Sequence, residues 1–189
     1  MTNLTRKNAW LVAVLLAVLL VSTRCYLLGL SVVCANASMA VFFLGGLYLR
    51  KHVAFFGFFL LAVMTDLGTM LWAGLTPNAL GISWASLSEP VAYAGLWFGG
   101  AWCAVHRKPK LVSFVVGSML TLAAFWLTNV TFYWLSGYVP APTFAGWVAN
   151  FSQWVSLYVG TTMAYIAGAL LLQEGVERFY SPRLVHAAN

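Results

Sequence analysis

Long apolar runs separated by short polar junctions make up almost the whole chain. A helix that crosses the hydrocarbon layer of a membrane needs about 20 predominantly apolar residues. We therefore predict an all-α integral membrane protein with six transmembrane helices in a single domain, residues 1–189. The segment after Gln173 is polar and is predicted to follow the last helix as a cytoplasmic tail. The predicted helices span roughly residues 8–27, 36–50, 53–75, 87–105, 111–136 and 145–173.

Basic residues lie at alternate junctions between these runs. The junctions around 76–87 and 137–144 contain no lysine or arginine. Loops rich in lysine and arginine stay on the cytoplasmic side of a membrane, so the alternation predicts that both termini are cytoplasmic. The first apolar run also resembles a signal peptide, but the alternation requires it as a membrane helix, and we expect it to be retained. The cations that define the alternation are Arg6, Lys7, Arg50, Lys51, Arg107, Lys108, Lys110, Arg178 and Arg183.

The composition excludes a soluble domain and argues against a nucleic-acid-binding protein. Of the residues, 62% are hydrophobic and 7% are charged, and the mean hydropathy is +0.85. A soluble domain of this length cannot bury so much apolar surface. The net charge of +6 lies mainly in the predicted cytoplasmic turns, where it orients the chain rather than binding nucleic acid. The lipid bilayer is therefore the first partner that the sequence predicts.

Polar side chains within the predicted helices gather in the halves that face outward. Asp66 lies past the midpoint of the third helix, and Glu89 lies near the start of the fourth. Ionisable and amide groups are expensive in hydrocarbon and normally face a cavity or a partner. We therefore predict a ligand cavity open to the outside, with the loop 76–87 as its lid. The predicted substrate-binding residues are Asp66, Glu89, Tyr93, Asn129, Tyr133, Asn150, Gln153 and Trp154.

Several of these residues also have a structural explanation. Asparagine and glutamine in membrane helices often only hydrogen-bond a neighbouring helix. Asp66 would be explained by an ion pair with Arg24, and Glu89 by a capping box at residues 86–89. Outer aromatic residues also fit the belt that membrane proteins place at the lipid headgroups. The set as a whole, rather than any one member, favours a cavity.

A stripe of alanines marks the cytoplasmic half of the first helix. Ala9, Ala13 and Ala17 recur at four-residue spacing. Small residues at this spacing leave a flat groove that another helix can approach closely. We predict that the stripe is a partner-docking surface, and ordinary packing within the bundle is the alternative.

These features resemble the substrate-binding S-components of energy-coupling-factor (ECF) vitamin transporters, which have six short helices, termini inside and such an alanine stripe. Residues 36–46, 64–66, 88–93 and 127–137 are similar to the S-component-like proteins that include the BtuM-type cobalamin transporters of Gram-negative bacteria. The resemblance implies uptake of a vitamin, with cobalamin or a related corrinoid as the leading substrate. It also implies a location in the bacterial cytoplasmic (inner) membrane and, as a possible partner, an ECF-type coupling module that docks on the alanine stripe.

The BtuM-type proteins hold cobalt through a cysteine just before a Pro-Ala-Tyr-like stretch. Here Ser88 lies ahead of Pro90 and Tyr93 at the matching place. Cys25 and Cys34 are the candidate replacements for cobalt ligation, because a thiolate is a soft ligand for a transition metal. A short-loop disulfide and inert buried thiols are the alternatives. Beyond a bound substrate, no intrinsic cofactor is expected.

Three hypotheses about function follow. The first is a substrate-binding membrane transport protein for uptake of a vitamin-like small molecule. The second is a structural or assembly subunit of a larger membrane complex, in which the polar residues hydrogen-bond other subunits. The third is a membrane enzyme that uses Asp66 or a cysteine. The chain shows no nucleophile–base spacing and no P-loop, so we expect neither enzymatic activity nor ATP hydrolysis.

Overall fold

The computed structural model describes residues 6–24, 37–72 and 87–186. These residues form six α-helices. No strand occurs within the described ranges. The helices are α1 (Arg6–Arg24), α2 (Ser38–Leu49), α3 (His52–Trp72), α4 (Ser88–Val105), α5 (Lys110–Leu135) and α6 (Phe144–His186).

The apolar runs predict the first five helices closely, but the predicted end of the sixth is wrong. α6 continues through Gln173 to His186, where we predicted a tail. Polar side chains four residues apart bond along its surface: Gln173 Nε2 donates to Glu177 Oε1 at 2.8 Å, and Arg178 Nε donates to Glu174 Oε1 at 3.0 Å. Such pairs stabilise a helix whose sequence has no continuous apolar face, so the apolar pattern does not predict it.

α2 forms the centre of the bundle. Nine of its 12 residues are buried, and it packs against each of the other five helices. A helix that is apolar all round has no face to offer water and is enclosed by other elements. Its 12 residues extend about 18 Å, which is less than the hydrocarbon thickness of about 30 Å. α2 is therefore positioned by its neighbours rather than by its own length.

Glycines allow α2 and α4 to approach closely. A Cβ added to Gly46 would lie 1.9 Å from the carbonyl oxygen of Trp97, and one added to Gly100 would lie 2.1 Å from the carbonyl oxygen of Phe43. The Trp97 ring fills the space beside Gly45 and is fully buried. The two backbones are thus in direct contact, and no side chain larger than hydrogen fits between them at these positions.

The direction of the helices follows from which residues meet. Tyr93 hydrogen-bonds Ser38 near the starts of α4 and α2, whereas Gly100 meets Leu47 nearer their ends. α2 and α4 therefore run parallel, and their C-terminal ends lie at the same end of the bundle. We call that end the Lys110 end, because α5 begins there at Lys110.

The opposite end is called the Arg24 end. Arg24, the last residue of α1, pairs there with the late α3 residue Asp66 and lies near Glu89 at the start of α4. The chain thus passes up and down the bundle, and the helix ends separate into two groups. The polar groups described below therefore each lie at one of these two ends of the bundle.

Two helical segments within the described ranges are long and apolar enough to cross a membrane. They are Lys110–Leu135, with 26 residues, and Phe144–Phe179, with 36 residues. Only 28% and 22% of the most apolar stretch of each segment is buried, so these segments differ from the enclosed core helix of a soluble protein. Shorter apolar segments, Asn8–Arg24, Ser38–Leu49 and Ala54–Thr69, accompany them. The prediction of an all-helical fold with helices able to cross a membrane is confirmed to this extent.

Candidate functional site

The Arg24 end contains an ion pair between α1 and α3. Arg24 Nε donates to Asp66 Oδ1 at 2.9 Å, and Arg24 Nη2 lies 2.8 Å from Asp66 Oδ2. This two-point geometry is the strong form of an arginine–carboxylate contact. The Arg24 side chain is 5% exposed and the Asp66 side chain is 33% exposed. The ion pair considered for Asp66 is therefore present, and a third of the carboxylate side chain still reaches the surface.

Two residues of the first turns of α4 complete this group, which we call the Arg24 cluster: Arg24, Asp66, Glu89 and Tyr93. Glu89 Oε2 lies 3.9 Å from Arg24 Nη2, and the Glu89 side chain is 50% exposed. Arg24 Nη2 donates to the buried Tyr93 hydroxyl at 3.5 Å. The Tyr93 ring stacks on Phe42 with 4.3 Å between ring centroids. The structure thus joins three of the predicted site residues around one guanidinium.

The capping box considered for Glu89 stays a prediction, because its partner at position 86 lies outside the described residues. α4 begins at Ser88 with Leu87 as its N-cap, and among the described residues no side chain makes a capping hydrogen bond there. Its contact with the guanidinium is longer than a hydrogen bond. Glu89 is therefore the least constrained member of the Arg24 cluster.

Arg24 retains hydrogen-bonding capacity. Its buried Nη1 atom has no partner among the described residues, and a buried donor without an acceptor costs about 1–3 kcal/mol. One guanidinium facing the carboxylates of Asp66 and Glu89 leaves the cluster with one formal negative charge in excess. The cluster therefore offers an unpaired donor and an accessible acceptor, which suits a solute that carries both kinds of polar group.

A second group of predicted residues lies where α5 meets α6. Tyr133 is buried, and its hydroxyl accepts a hydrogen bond from the Thr143 backbone nitrogen at 3.4 Å, just before α6. Asn129 and Asn150 are half-buried. The Asn129 Oδ1 atom is buried and has no hydrogen-bond partner in the described part of the chain. Tyr133 thus has a structural partner, while Asn129 has an acceptor to spare.

The last two predicted residues, Gln153 and Trp154, lie on the exposed surface of α6. Trp154 is 40% exposed and contacts Tyr158 edge to face, with 6.1 Å between centroids. Within residues 6–24, 37–72 and 87–186, no hydrogen bond or ion pair joins the α5–α6 residues to the Arg24 cluster. The eight predicted residues therefore lie in two groups rather than in one.

A hydroxyl bridge connects the two regions. Thr131 Oγ1, late in α5, donates to Ser88 Oγ at the start of α4 with a distance of 2.8 Å. Ser88 immediately precedes Glu89 of the Arg24 cluster. The α5–α6 group therefore lies at the Arg24 end too. Ser88 is buried. At the position compared above with the cysteine of the BtuM-type transporters, this chain therefore has a hydroxyl that is hydrogen-bonded to Thr131.

Sequence reasoning misses an aromatic row beside the α5–α6 group. Successive ring centroids in this row are 5.2–5.8 Å apart. The buried indole nitrogen of Trp147 has no hydrogen-bond partner among the described residues. Most of the row follows helical spacing on α6, which is a usable signal in the sequence. In order of contact, the row consists of Phe144, Trp147, Phe151, Phe125 and Tyr158.

The Lys110 end holds a separate polar network. The sequence does not predict it, because the residues after Gln173 were expected to form a tail. Lys110 Nζ lies 2.5 Å from Glu174 Oε2 and 2.5 Å from Glu177 Oε2. The Tyr48 hydroxyl donates to Gln173 Oε1 at 3.1 Å. We call these five residues the Lys110 network. It ties α2, α5 and α6 together at the end opposite to the candidate site.

The alanine stripe of α1 faces partly into the bundle. Ala9, Ala13 and Ala17 are half-buried, and Ala17 packs against the buried core. The most exposed side of α1 instead carries large residues such as Trp10 and Leu15. The predicted docking of a partner on this stripe stays a prediction.

The remaining predictions concern cysteines and metals. Cys25 and Cys34, the candidate cobalt ligands, lie outside the described residues, as do residues 76–86 of the predicted lid. Cys103 is buried and unpaired. In the described ranges, no group of three or more histidine, cysteine, aspartate or glutamate side chains could hold a metal ion.

The sequence was compared with family models and with curated protein sequences. It matches no model of a known protein family, and no curated protein sequence matches it significantly. The resemblance to the S-components therefore stays a prediction from the residues quoted above.

Proposed function

We propose that this chain is a membrane-embedded, substrate-binding transport protein for uptake of a small, vitamin-like molecule. The observation that carries the proposal is the Arg24 cluster. It holds a buried arginine whose Nη1 atom has no partner in the described part of the chain, beside carboxylates whose side chains are 33% and 50% exposed. Ionisable groups among apolar helices commonly mark a substrate pathway or a pair that stabilises the fold. Arg24 and Asp66 already form a complete ion pair. Glu89 is a further carboxylate beside it, which the stability of that pair does not require.

The proposal places the six-helix bundle in the bilayer of a bacterial inner membrane, with α2 enclosed by the other helices. The apolar surfaces of α5 and α6, which are mostly unburied, fit a lipid environment. The basic turns at 50–51 and 107–108 lie at the Lys110 end, which the positive-inside rule assigns to the cytoplasm. α1 begins and α6 ends at this end, so both termini are cytoplasmic. The Arg24 end then faces outward, where a solute would enter.

The chemistry of the outward end favours a ligand with both donors and acceptors and an apolar body. The Arg24 cluster supplies Nη1 and the Glu89 carboxylate. The α5–α6 group supplies Asn129 Oδ1, and the adjacent aromatic row supplies the Trp147 indole nitrogen. Cobalamin or a related corrinoid remains the leading candidate through the resemblance, because its peripheral amides both donate and accept hydrogen bonds. Cobalt ligation by Cys25 or Cys34 belongs to the same proposal.

The first experiment is a calorimetric titration of the detergent-purified protein with a panel of vitamins, including cobalamin and cobinamide. We expect saturable binding of one ligand and a loss of roughly tenfold in affinity in Glu89→Gln, because a hydrogen bond to a charged group contributes about 1.5–3 kcal/mol. This substitution keeps the side-chain shape and leaves the Arg24–Asp66 pair intact. Glu177→Gln makes the same change at the Lys110 end, where Lys110 retains Glu174, and should bind normally.

Absence of binding across the whole panel would contradict the proposal. Equal weakening in Glu89→Gln and Glu177→Gln would also contradict the assigned site, because it would show a general effect on the fold. Binding that survives Glu89→Gln but fails in Asn129→Leu would move the site to the α5–α6 group.

A second candidate function is a subunit of a larger membrane complex, and one observation favours it. A Cβ added to Gly160, Gly168 or Gly175 of α6 would meet nothing within 4 Å. Small residues on an open helix face let another membrane helix approach closely. This hypothesis predicts a stable larger assembly in mild detergent, loss of that assembly in Gly168→Leu, and no saturable binding of small ligands.

A further inference from the structure

The Lys110 end carries more positive charge than its own carboxylates can neutralise. The chain has four acidic side chains in total. Asp66 and Glu89 lie at the opposite end, around Arg24. Glu174 and Glu177 are both bonded to Lys110. Among the described residues, no ion pair joins any of these carboxylates to the cations of the two turns that follow α2 and α4.

These two turns lie at the same end of the bundle, because α2 and α4 run parallel and in direct contact. The first turn contains Arg50 and Lys51, and the second contains Arg107 and Lys108. We call these four residues the basic turns. Arg50, Lys51 and Arg107 are exposed, and Lys108 is partly exposed. Four cations with no carboxylate partner among the described residues thus lie at the ends of two touching helices.

The backbone of each turn places an arginine where glycine would be easier. Arg50 has φ 59° and Arg107 has φ 48°, both in the left-handed region. Glycine adopts this conformation at a helix C-terminus without a steric penalty. Non-glycine residues in this region indicate a local cost that functional sites often carry. Both turns therefore keep a cation at a position where the fold alone would favour glycine.

The second turn also contains a marker of membrane depth. Lys108 Nζ lies 4.9 Å from the centroid of the Trp102 ring, and Trp102 is 45% exposed. The ring of His106 packs beside the same indole, with 5.0 Å between centroids. Exposed tryptophans concentrate at the level of the lipid headgroups. Lys108 is therefore held at the depth at which lipid phosphates lie.

We propose that the basic turns bind the phosphate headgroup of an anionic phospholipid of the cytoplasmic leaflet. Arginine matches phosphate oxygens with two parallel hydrogen bonds, and basic pockets between membrane helices on the cytoplasmic side bind acidic headgroups. This inference rests on the membrane placement proposed above and is independent of solute binding. The lipid would hold the ends of α2 and α4 together without any protein carboxylate.

The test titrates phosphatidylglycerol into the detergent-purified full chain and follows the unfolding midpoint by tryptophan fluorescence. Phosphatidylcholine and inorganic phosphate serve as parallel probes. The key variant is Arg50→Asn with Arg107→Asn, because asparagine tolerates the left-handed conformation and removes the charge. We expect phosphatidylglycerol to raise the midpoint of the wild type, and the variant to need roughly thirtyfold more lipid for half of the effect. Arg178→Gln, which removes a cation that is paired with Glu174 at the same end, should respond like the wild type.

Three results would overturn the proposal. The first is an equal response to phosphatidylglycerol and phosphatidylcholine, which would show a general lipid effect. The second is an equal rise with inorganic phosphate, which would identify a site for free phosphate rather than for a lipid. The third is an unchanged lipid response in the double variant. Normal solute binding by that double variant would show that this failure leaves the proposed transport function untouched.

Discussion

Arg24 contributes to both the stability of the fold and the candidate site. Its bidentate contact with Asp66 joins α1 to α3, and its Nη2 atom reaches the Tyr93 hydroxyl in α4. A charge with 5% of its side chain exposed is tolerated only when it is paired and hydrogen-bonded. The same guanidinium therefore joins three helices and contributes to the charge of the Arg24 end.

Removing one partner of this pair should destabilise the protein. We expect Asp66→Asn to lower the free energy of unfolding by about 2 kcal/mol, because the buried Arg24 loses its ionic partner. Glu89→Gln should cost less than about 1 kcal/mol, since an ion pair with an exposed member is weak. Denaturant titrations of both variants in the same detergent measure the difference, and an equal loss would contradict the assigned pairing.

At the scale of elements, the contact between α2 and α4 depends on glycines, whose side chain is a single hydrogen atom. Gly46 and Gly100 each face a backbone carbonyl of the other helix at distances that exclude a Cβ. A backbone carbonyl cannot move aside as the end of a flexible side chain can. The helices must separate if either glycine is replaced, so this interface is sensitive to a single methyl group.

Gly46→Ala and Gly100→Ala should therefore each destabilise the protein by about 1–3 kcal/mol through overpacking. Gly95→Ala is the matched control, because a Cβ at Gly95 in the same helix α4 meets nothing within 4 Å. Alanine is a better helix former than glycine by about 1 kcal/mol, so the control should be neutral or more stable. Thermal unfolding of the three variants tests this, and a uniform effect would contradict the close approach of α2 and α4.

The C-terminal part of α6 depends on a cation from α5. Lys110→Met should leave Glu174 and Glu177 without this partner and increase hydrogen exchange in the segment after Gln173. Lys108→Met is the control, because Lys108 has no acidic partner among the described residues. Hydrogen-exchange mass spectrometry separates the two variants. Equal protection in both would show that the i,i+4 pairs along α6 suffice to hold the segment.

At the scale of the whole molecule, the distribution of charge predicts which end faces the cytoplasm. A fluorescent-protein fusion after Lys108 and one after the C-terminus should both fluoresce, because the proposed orientation places the Lys110 end in the cytoplasm. An alkaline phosphatase fusion at Pro140, between α5 and α6, should be active, because the proposed orientation places the Arg24 end outside. An active phosphatase at Lys108 would reverse the proposed orientation.

Apolar patterning was sufficient to predict five helices and to suggest the Arg24–Asp66 pair, since few charged residues compete for partners. It could not predict the extent of α6 beyond Gln173, because a helix stabilised by polar i,i+4 pairs has no apolar period. It also could not separate the α5–α6 residues from the Arg24 cluster. That separation depends on how helices pack around α2, which the depth of a residue in its own helix does not determine.

The enclosure of α2 has a consequence for biosynthesis. Its roughly 18 Å of helix cannot match the hydrocarbon layer of about 30 Å, and its cover includes α4, which is translated later. Until residues 97–100 have left the ribosome, residues 38–49 lack the wall against which Gly46 and Phe43 pack. In the proposed membrane placement, the nascent chain therefore carries α2 beside α1 and α3 until α4 has been made. The centre of this protein is completed only after the helices around it have been made.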